Sequence, residues 1–259
     1  MKYKLKRLFL FVALLGTGSI LMAQALSHAT EKGAPFAVER HSLKKSEKGF
    51  AYNVEIDFPV SGNVATVKII REWIAEAQPY CYDGDVSDVR GLMMYEYQME
   101  RKGWSSEDNC EMSLQFLKAY ENDKFVTYTR YANGYSGGAH GYSSMHGATF
   151  RLSDGRRFGW DIFYSTRRLN AIIFDALKEQ YFEVESDEEM SQSIDGYKRE
   201  GNRQLPLPAT EPWITDKGVA FYYQEYEIGA YCIGAPHCVV PFEKIKDLMY
   251  PSSLDLITR

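Results

Sequence analysis

From residue 36 onward the chain moves between two hydrophobic rhythms. Tyr52, Val54, Ile56 and Phe58 fall on every second position with polar residues between, which predicts a half-buried strand over residues 51–60. A partner strand is expected over residues 36–43, with the polar run 44–49 as the turn between them. Ser61-Gly62-Asn63 then interrupts the pattern. Val67, Ile70, Trp73 and Ile74 recur at three- and four-residue spacing, so a helix is predicted over residues 64–78. Ser87 or Asp88 can cap a second helix that carries Val89, Leu92, Met93, Tyr97 and Met99 as far as about Trp104.

The rhythm returns to two at Met112, Leu114 and Phe116, and again at Phe125, Thr127, Thr129 and Tyr131. The polar residues 121–124 between these runs predict a hairpin. A Gly/Ser-rich segment, residues 134–147, leads to a second hairpin-like turn at Ser153-Asp154-Gly155. Ile172, Ile173, Ala176 and Leu177 share one face of a third helix over residues 169–183, and the acidic stretch 183–200 is expected to stay partly helical. Pro206, Pro208 and Pro212 mark an extended linker. Residues 219–231, rich in Tyr and Phe, read as the strongest strand, and residues 242–249 as a closing amphipathic helix. Strands and helices come in segregated runs. This predicts an α+β fold with antiparallel sheets and helices packed on one face.

The first residues follow a different logic. Lys2, Lys4, Lys6 and Arg7 precede an uncharged stretch, residues 8–22, and Ala23-Gln24-Ala25 offers small residues at a cleavage point. Residues 1–25 are therefore expected to be a cleavable signal peptide rather than a retained anchor, since the apolar run is shorter than the ~20 residues a spanning helix needs. A periplasmic or secreted protein follows, with no stable membrane span after cleavage and no lipid-modified cysteine near the cleavage point. The chain carries −5, and residues 1–25 hold four basic side chains and no acid, which leaves −9 on the remaining 234 residues. Such a surface repels nucleic acid and anionic lipid and steers a basic protein partner toward it.

The oxidising compartment changes the reading of Cys81, Cys110, Cys232 and Cys238. An even count predicts disulfides, paired in sequence as Cys81–Cys110 and Cys232–Cys238. Cys232, His237 and Cys238 could alternatively contribute to a zinc site, but their spacing matches no common zinc motif.

Candidate chemistry concentrates in the run Tyr131–Gly141. Its dense glycines allow positive φ and close approach of a ligand to backbone, suited to an anion or a sugar; they equally serve a turn between strands. No Gly-Lys-Ser/Thr follows, which excludes a phosphate-binding Walker loop. His140 and His146 each lie near a serine, and a hydrolase using His140 with Ser136 or Ser143 is conceivable in outline. It lacks an orienting third group and a nucleophile elbow. Asp83-Gly84-Asp85-Val86-Ser87-Asp88 alternates oxygen ligands, yet Asp88 and Met94 stand where a calcium loop needs Gly and Glu. It reads as a solvated loop capping the second helix. The acidic residues Glu183, Glu185, Asp187, Glu188 and Glu189 read as a solvated face open to a cationic partner. No catalytic residue, cofactor or metal is assigned.

Ser136-Gly137-Gly138-Ala139-His140-Gly141, then Leu152-Ser153-Asp154-Gly155-Arg156 and Trp160-Asp161-Ile162-Phe163, resemble in order the RsiV-like extracellular domains, domain of unknown function 3298. The late run Phe221–Ile228, Gly234 and Val240-Pro241-Phe242 extend the likeness over residues 110–250. The resemblance divides the chain into residues 26–109, similar to the partner region (domain of unknown function 4163), and residues 110–259. It implies a non-catalytic binding protein of the bacterial cell envelope, whose partner is a lysozyme-like protein or a peptidoglycan glycan. One characterised branch of the family is an anti-sigma factor that binds host lysozyme. In another, the domain accompanies a peptidoglycan deacetylase. The few residues ahead of the apolar stretch are too short to hold a sigma factor, and a structural envelope component is the remaining alternative. The binding residues expected are Tyr135, Ser136, Gly137, Gly138, His140 and Tyr142.

Overall fold

A computed structural model describes residues 34–104, 109–194 and 205–257. The expected signal peptide lies outside these residues, as do residues 195–200 at the end of the acidic stretch. Strands β1 (Ala37–Glu47) and β2 (Phe50–Ser61) form an antiparallel hairpin. Strand β1 runs four residues further than the polar composition of residues 44–47 suggests. It is an edge strand, so both its faces tolerate Lys, Ser and Glu.

Helix α1 (Val64–Glu76) starts at Asn63, whose side-chain oxygen accepts the N–H groups of Ala65 at 2.9 Å and Thr66 at 3.3 Å. Helix α2 (Val89–Lys102) starts at Asp88, which accepts the Gly91 N–H at 2.9 Å; Ser87 instead bonds back to Asp85. The aspartates of this loop thus serve caps and turns. The two helices carry the chain back so that β3 (Cys110–Glu121) pairs with β2 in parallel, a connection that parallel strands require. Strands β4 (Phe125–Tyr135), β5 (Tyr142–Arg151) and the short β6 (Arg157–Phe158) complete a six-stranded sheet in chain order, every other pairing being antiparallel. This sheet spans both regions that the resemblance separates.

Helices α1 and α2 cover one face of the sheet. Trp73 packs edge-on against Phe116 and Phe150, each at 5.8 Å, and against Tyr128 at 6.4 Å. A second core gathers α3 (Leu169–Gln180), the short α4 (Asp187–Ser193) and a three-stranded antiparallel sheet of β7 (Trp213–Ile214), β8 (Gly218–Tyr222) and β9 (His237–Pro241). The closing segment is a broken helix: α5 (Phe242–Ile245), a 3-10 turn (Lys246–Leu248) and α6 (Pro251–Ile257). Pro251 at the start of α6 suits the first helical turn, where its missing N–H costs nothing. The architecture is α+β, as the segregated runs predict.

The two sheets are joined by hydroxyls. Thr127 on β4 and Thr149 on β5 bond one another at 2.9 Å, Thr127 donates to the Ile214 carbonyl at 2.7 Å, and Thr149 accepts the Ile214 N–H at 2.9 Å. All of these groups are buried, so β7 docks with its backbone satisfied. Two glutamines close strand edges in the same manner. Gln180 of α3 exchanges bonds with the backbone of Val239 (3.0 and 2.9 Å), and Gln224 with that of Met145 (2.7 and 3.3 Å).

The cysteine expectation is corrected: no pair forms a disulfide. In each expected pair the partners occupy opposite environments. Cys110 enters β3 facing the core at 5% exposure and Cys238 lies on β9 at 3%, whereas Cys81 and Cys232 are exposed on connecting segments. The same opposition separates Cys232 from Cys238 as zinc ligands, and among the described residues no group of three His, Cys, Asp or Glu is placed to hold a metal ion. No described helix is long and apolar enough to cross a membrane.

Candidate functional site

The glycine-rich run is the β4–β5 hairpin turn, and it stands in solvent. Tyr135 ends β4 and donates its hydroxyl to the Gly138 carbonyl at 2.8 Å, folding the turn over itself. Gly137 (φ 77°) and Gly138 (φ 123°) occupy the left-handed half of backbone space, with nothing within 4 Å of where a Cβ would stand. Glycine is needed here for backbone conformation, not for packing room. Ser136 through His140 are all exposed.

His140 is the centre of the surface. Its ring stacks on Tyr231, centroids 3.7 Å apart and planes 20° from parallel, and its Nε2 meets the Tyr226 hydroxyl at 3.0 Å. Its Nδ1 meets the Gly141 carbonyl at 2.8 Å, so that nitrogen carries the proton and Nε2 accepts from the tyrosine. Tyr226 and Tyr231 lie 5.7 Å apart. Ser143 gives its hydroxyl proton to Glu225 at 2.5 Å, and the same carboxylate oxygen accepts the Ser143 N–H at 3.0 Å. Both histidine nitrogens are therefore engaged away from any serine, and no Ser–His pair forms among the described residues.

Tyr226 is held in an unusual posture. Its φ of 67° is left-handed for a residue with a Cβ, which costs about 1–2 kcal/mol. Glu227 fixes the turn by accepting the Gln224 N–H and the Ala209 N–H, each at 2.7 Å. The outcome is a tyrosine 58% exposed beside the histidine stack.

Sequence reasoning found one half of this surface. Tyr135, Ser136, Gly137, Gly138 and His140 share the turn, while Tyr142 returns on β5 opposite Gly134 and makes no contact with the His140 stack. The missing half, Tyr226 and Tyr231, falls in residues expected to continue a strand to 231. Strand β8 ends at Tyr222, the last backbone tie being Tyr223 N–H to the Pro236 carbonyl at 2.8 Å. The signal was available in Gly229, Gly234 and Pro236, which punctuate a loop.

A separate cleft of about 460 Å³ is lined by Trp73 of α1, Ala77 just past its end, Arg130 of β4, His146 of β5, Arg157 of β6 and the segment 209–211 with Gln224. Arg130 and His146 are opposite one another in the β4–β5 register. His146 is exposed at the rim, yet partial desolvation and then the neighbouring Arg130 charge lower its pKa, which favours the neutral imidazole near pH 7.

The fold places the chain among known proteins. Solved structures with a similar fold include a member of the DUF3298 family from Bacteroides fragilis (TM-score 0.64, 18% identity, 88% of this chain and 100% of that chain) and a DUF3298 family protein from Pseudomonas aeruginosa PAO1 (TM-score 0.58, 12% identity, 87% and 97%). In sequence, residues 161–243 match the family described as protein of unknown function (DUF3298). That match carries α3, the second sheet and the Tyr226–Tyr231 loop, and it stops short of the glycine-rich turn. No curated protein matches the sequence.

Proposed function

We propose that the protein is an exported, non-catalytic binding protein of the bacterial cell envelope, and that it recognises its partner through the turn 135–142 with Tyr226 and Tyr231. The observation that carries this reading is the His140 stack: three rings clustered on solvent-facing loops, one of them displayed by a left-handed backbone. Rigid exposed tyrosines offer large contact area at low entropic cost, which is the chemistry of recognition. The RsiV-like resemblance and the net charge of −9 beyond residue 25 support a basic, lysozyme-like protein as the partner. The parallel rings support a second reading, a peptidoglycan glycan stacked on Tyr226 or Tyr231.

The test immobilises the protein and passes a c-type lysozyme and soluble peptidoglycan fragments over it at low salt, beside Tyr226→Ala and Tyr231→Ala variants. Retention of one probe, weakened at least tenfold in the variants, is expected. If neither probe is retained, or if the variants bind as well as the parent, the reading falls.

A further inference from the structure

Arg130 stands where a cation is expensive. It lies on the helix-covered face of β4 and is only 8% exposed. One nitrogen, Nη1, donates to Ser144 Oγ at 2.6 Å, while Nε has no hydrogen-bond partner. Among the described residues neither Arg130 nor Arg157 forms an ion pair with a carboxylate. The acid whose charge reaches Arg130 is Glu96 of α2, fully buried, with neither carboxylate oxygen in a hydrogen bond of standard geometry. Burial first, and the charge of Glu100 second, raise its pKa to about 8. Near pH 7 it is mostly a neutral acid, and Arg130 keeps its charge uncompensated. A buried guanidinium in that condition is strongly unfavourable unless something outside the fold supplies the anion.

The side chain lines the cleft described above, whose volume is that of a small-ligand site. We propose that this cleft binds a small organic anion, its carboxylate or phosphate head seated between Arg130 and Arg157. Guanidinium groups suit such heads because their fork of N–H donors matches planar or tetrahedral oxygens. Neutral His146 can add a donor, and Trp73 gives an apolar wall for the ligand's carbon frame. One lining group has the opposite sign. The Glu211 carboxylate accepts the Trp160 N–H at 2.8 Å and gives the far side an acceptor for hydroxyls, while Gln224 and Thr210 beside it bond one another at 2.8 Å. The chemistry as a whole selects an anion that also carries hydroxyl groups, such as a sugar acid or a sugar phosphate. The cleft shares no lining residue with the turn 135–142, Tyr226 or Tyr231, so this proposal and the one above stand or fall separately.

Titrations of the full exported chain with galacturonate, glycerol 3-phosphate, acetate and inorganic phosphate, at low ionic strength with sodium chloride as control, test it. Nuclear magnetic resonance reads the Trp73 indole and Gly147 amide signals, and thermal unfolding reads stabilisation. Saturable binding of galacturonate or glycerol 3-phosphate is expected, the preferred one identifying the head group. Acetate and phosphate should bind at least tenfold more weakly. Arg157→Ala, an exposed change that spares the core, should weaken binding tenfold or more, and Arg130→Met should abolish it if that variant folds. No saturable response, or equal responses to every salt unchanged by Arg157→Ala, would overturn the assignment and leave Arg130 a structural cation.

Discussion

Glu96 offers a direct thermodynamic test of the buried polar layer under α2. The carboxyl is fully buried, and its folded pKa of about 8 stands well above the ordinary glutamate value of about 4.5. Between those two values the unfolded chain has released a proton that the folded chain still holds. Stability must then fall as pH rises, by about 1.4 kcal/mol for each pH unit, and roughly 5 kcal/mol is lost once pH exceeds the folded value. This is the reverse of the usual carboxylate, whose partners depress its pKa. Glu96→Gln keeps the shape of the neutral acid and removes the titration. Urea unfolding at pH 5, 7 and 9, followed by circular dichroism, should give both proteins similar stability at pH 5 and make the variant several kcal/mol the more stable at pH 9.

Two neighbours shape the rest of the curve. The pKa of Glu100 is also raised by burial, so a downward slope persists in the variant. His146 acts in the opposite sense: its pKa is lowered below 6.5, so its contribution is lost as pH falls through that region. Parallel pH profiles for parent and Glu96→Gln would refute the claim that Glu96 is buried as an acid.

Three further outcomes follow from packing. Gly147→Ala places a methyl 2.1 Å from the Trp213 ring, between β5 and β7, and should cost about 2–4 kcal/mol by urea midpoint; a loss below ~0.5 kcal/mol would deny the close approach. Thr149→Val strips the Ile214 N–H of its acceptor and should cost about 1–3 kcal/mol, with a coupling of at least ~0.5 kcal/mol to Thr127→Val in a double-mutant cycle. Exposed Cys81 and Cys232 should react with a thiol reagent in the native protein, whereas Cys238, its pKa pushed up to about 12 by burial, should react only on unfolding. Four thiols recovered without reductant are expected, and two or none would establish a disulfide.

How far the fold was legible depended on what each element buries. Trp73 and Ile74 face one sheet from one side, so α1 announces itself by period, and Asn63 marks its start. Strand β2 shows Tyr52, Val54, Ile56 and Phe58 to the helices and alternates cleanly for the same reason. Direction is another matter: nothing in the period of β3 says that it pairs with β2 in parallel, because alternation describes faces and not neighbours. The β8 overrun has a similar origin. Tyr226 and Tyr231 carry strand propensity, but just past the end of β8 the side chains of Gln224 and Glu225 bond β5 where a longer ladder would continue. Propensity describes a residue, and the termination is a tertiary event.

The same limit explains why the cleft was invisible while the glycine turn was not. Reading Phe125, Thr127, Thr129 and Tyr131 as the inward face of β4 leaves Arg130 among the outward polar residues. Yet Val126 and Tyr128 are as deeply buried as Phe125 and Thr127, because one face meets the helices and the other meets the second sheet. In a strand covered on both sides alternation no longer sorts inside from outside, and a lone arginine loses its meaning in sequence. Arg130 acquires one only when α2 brings Glu96 toward it and the segment 209–211 closes the far wall. A glycine cluster, by contrast, is a property of consecutive residues. The turn could therefore be found early, whereas an anion site built from single residues on β4, β5, β6 and two loops requires the assembled fold.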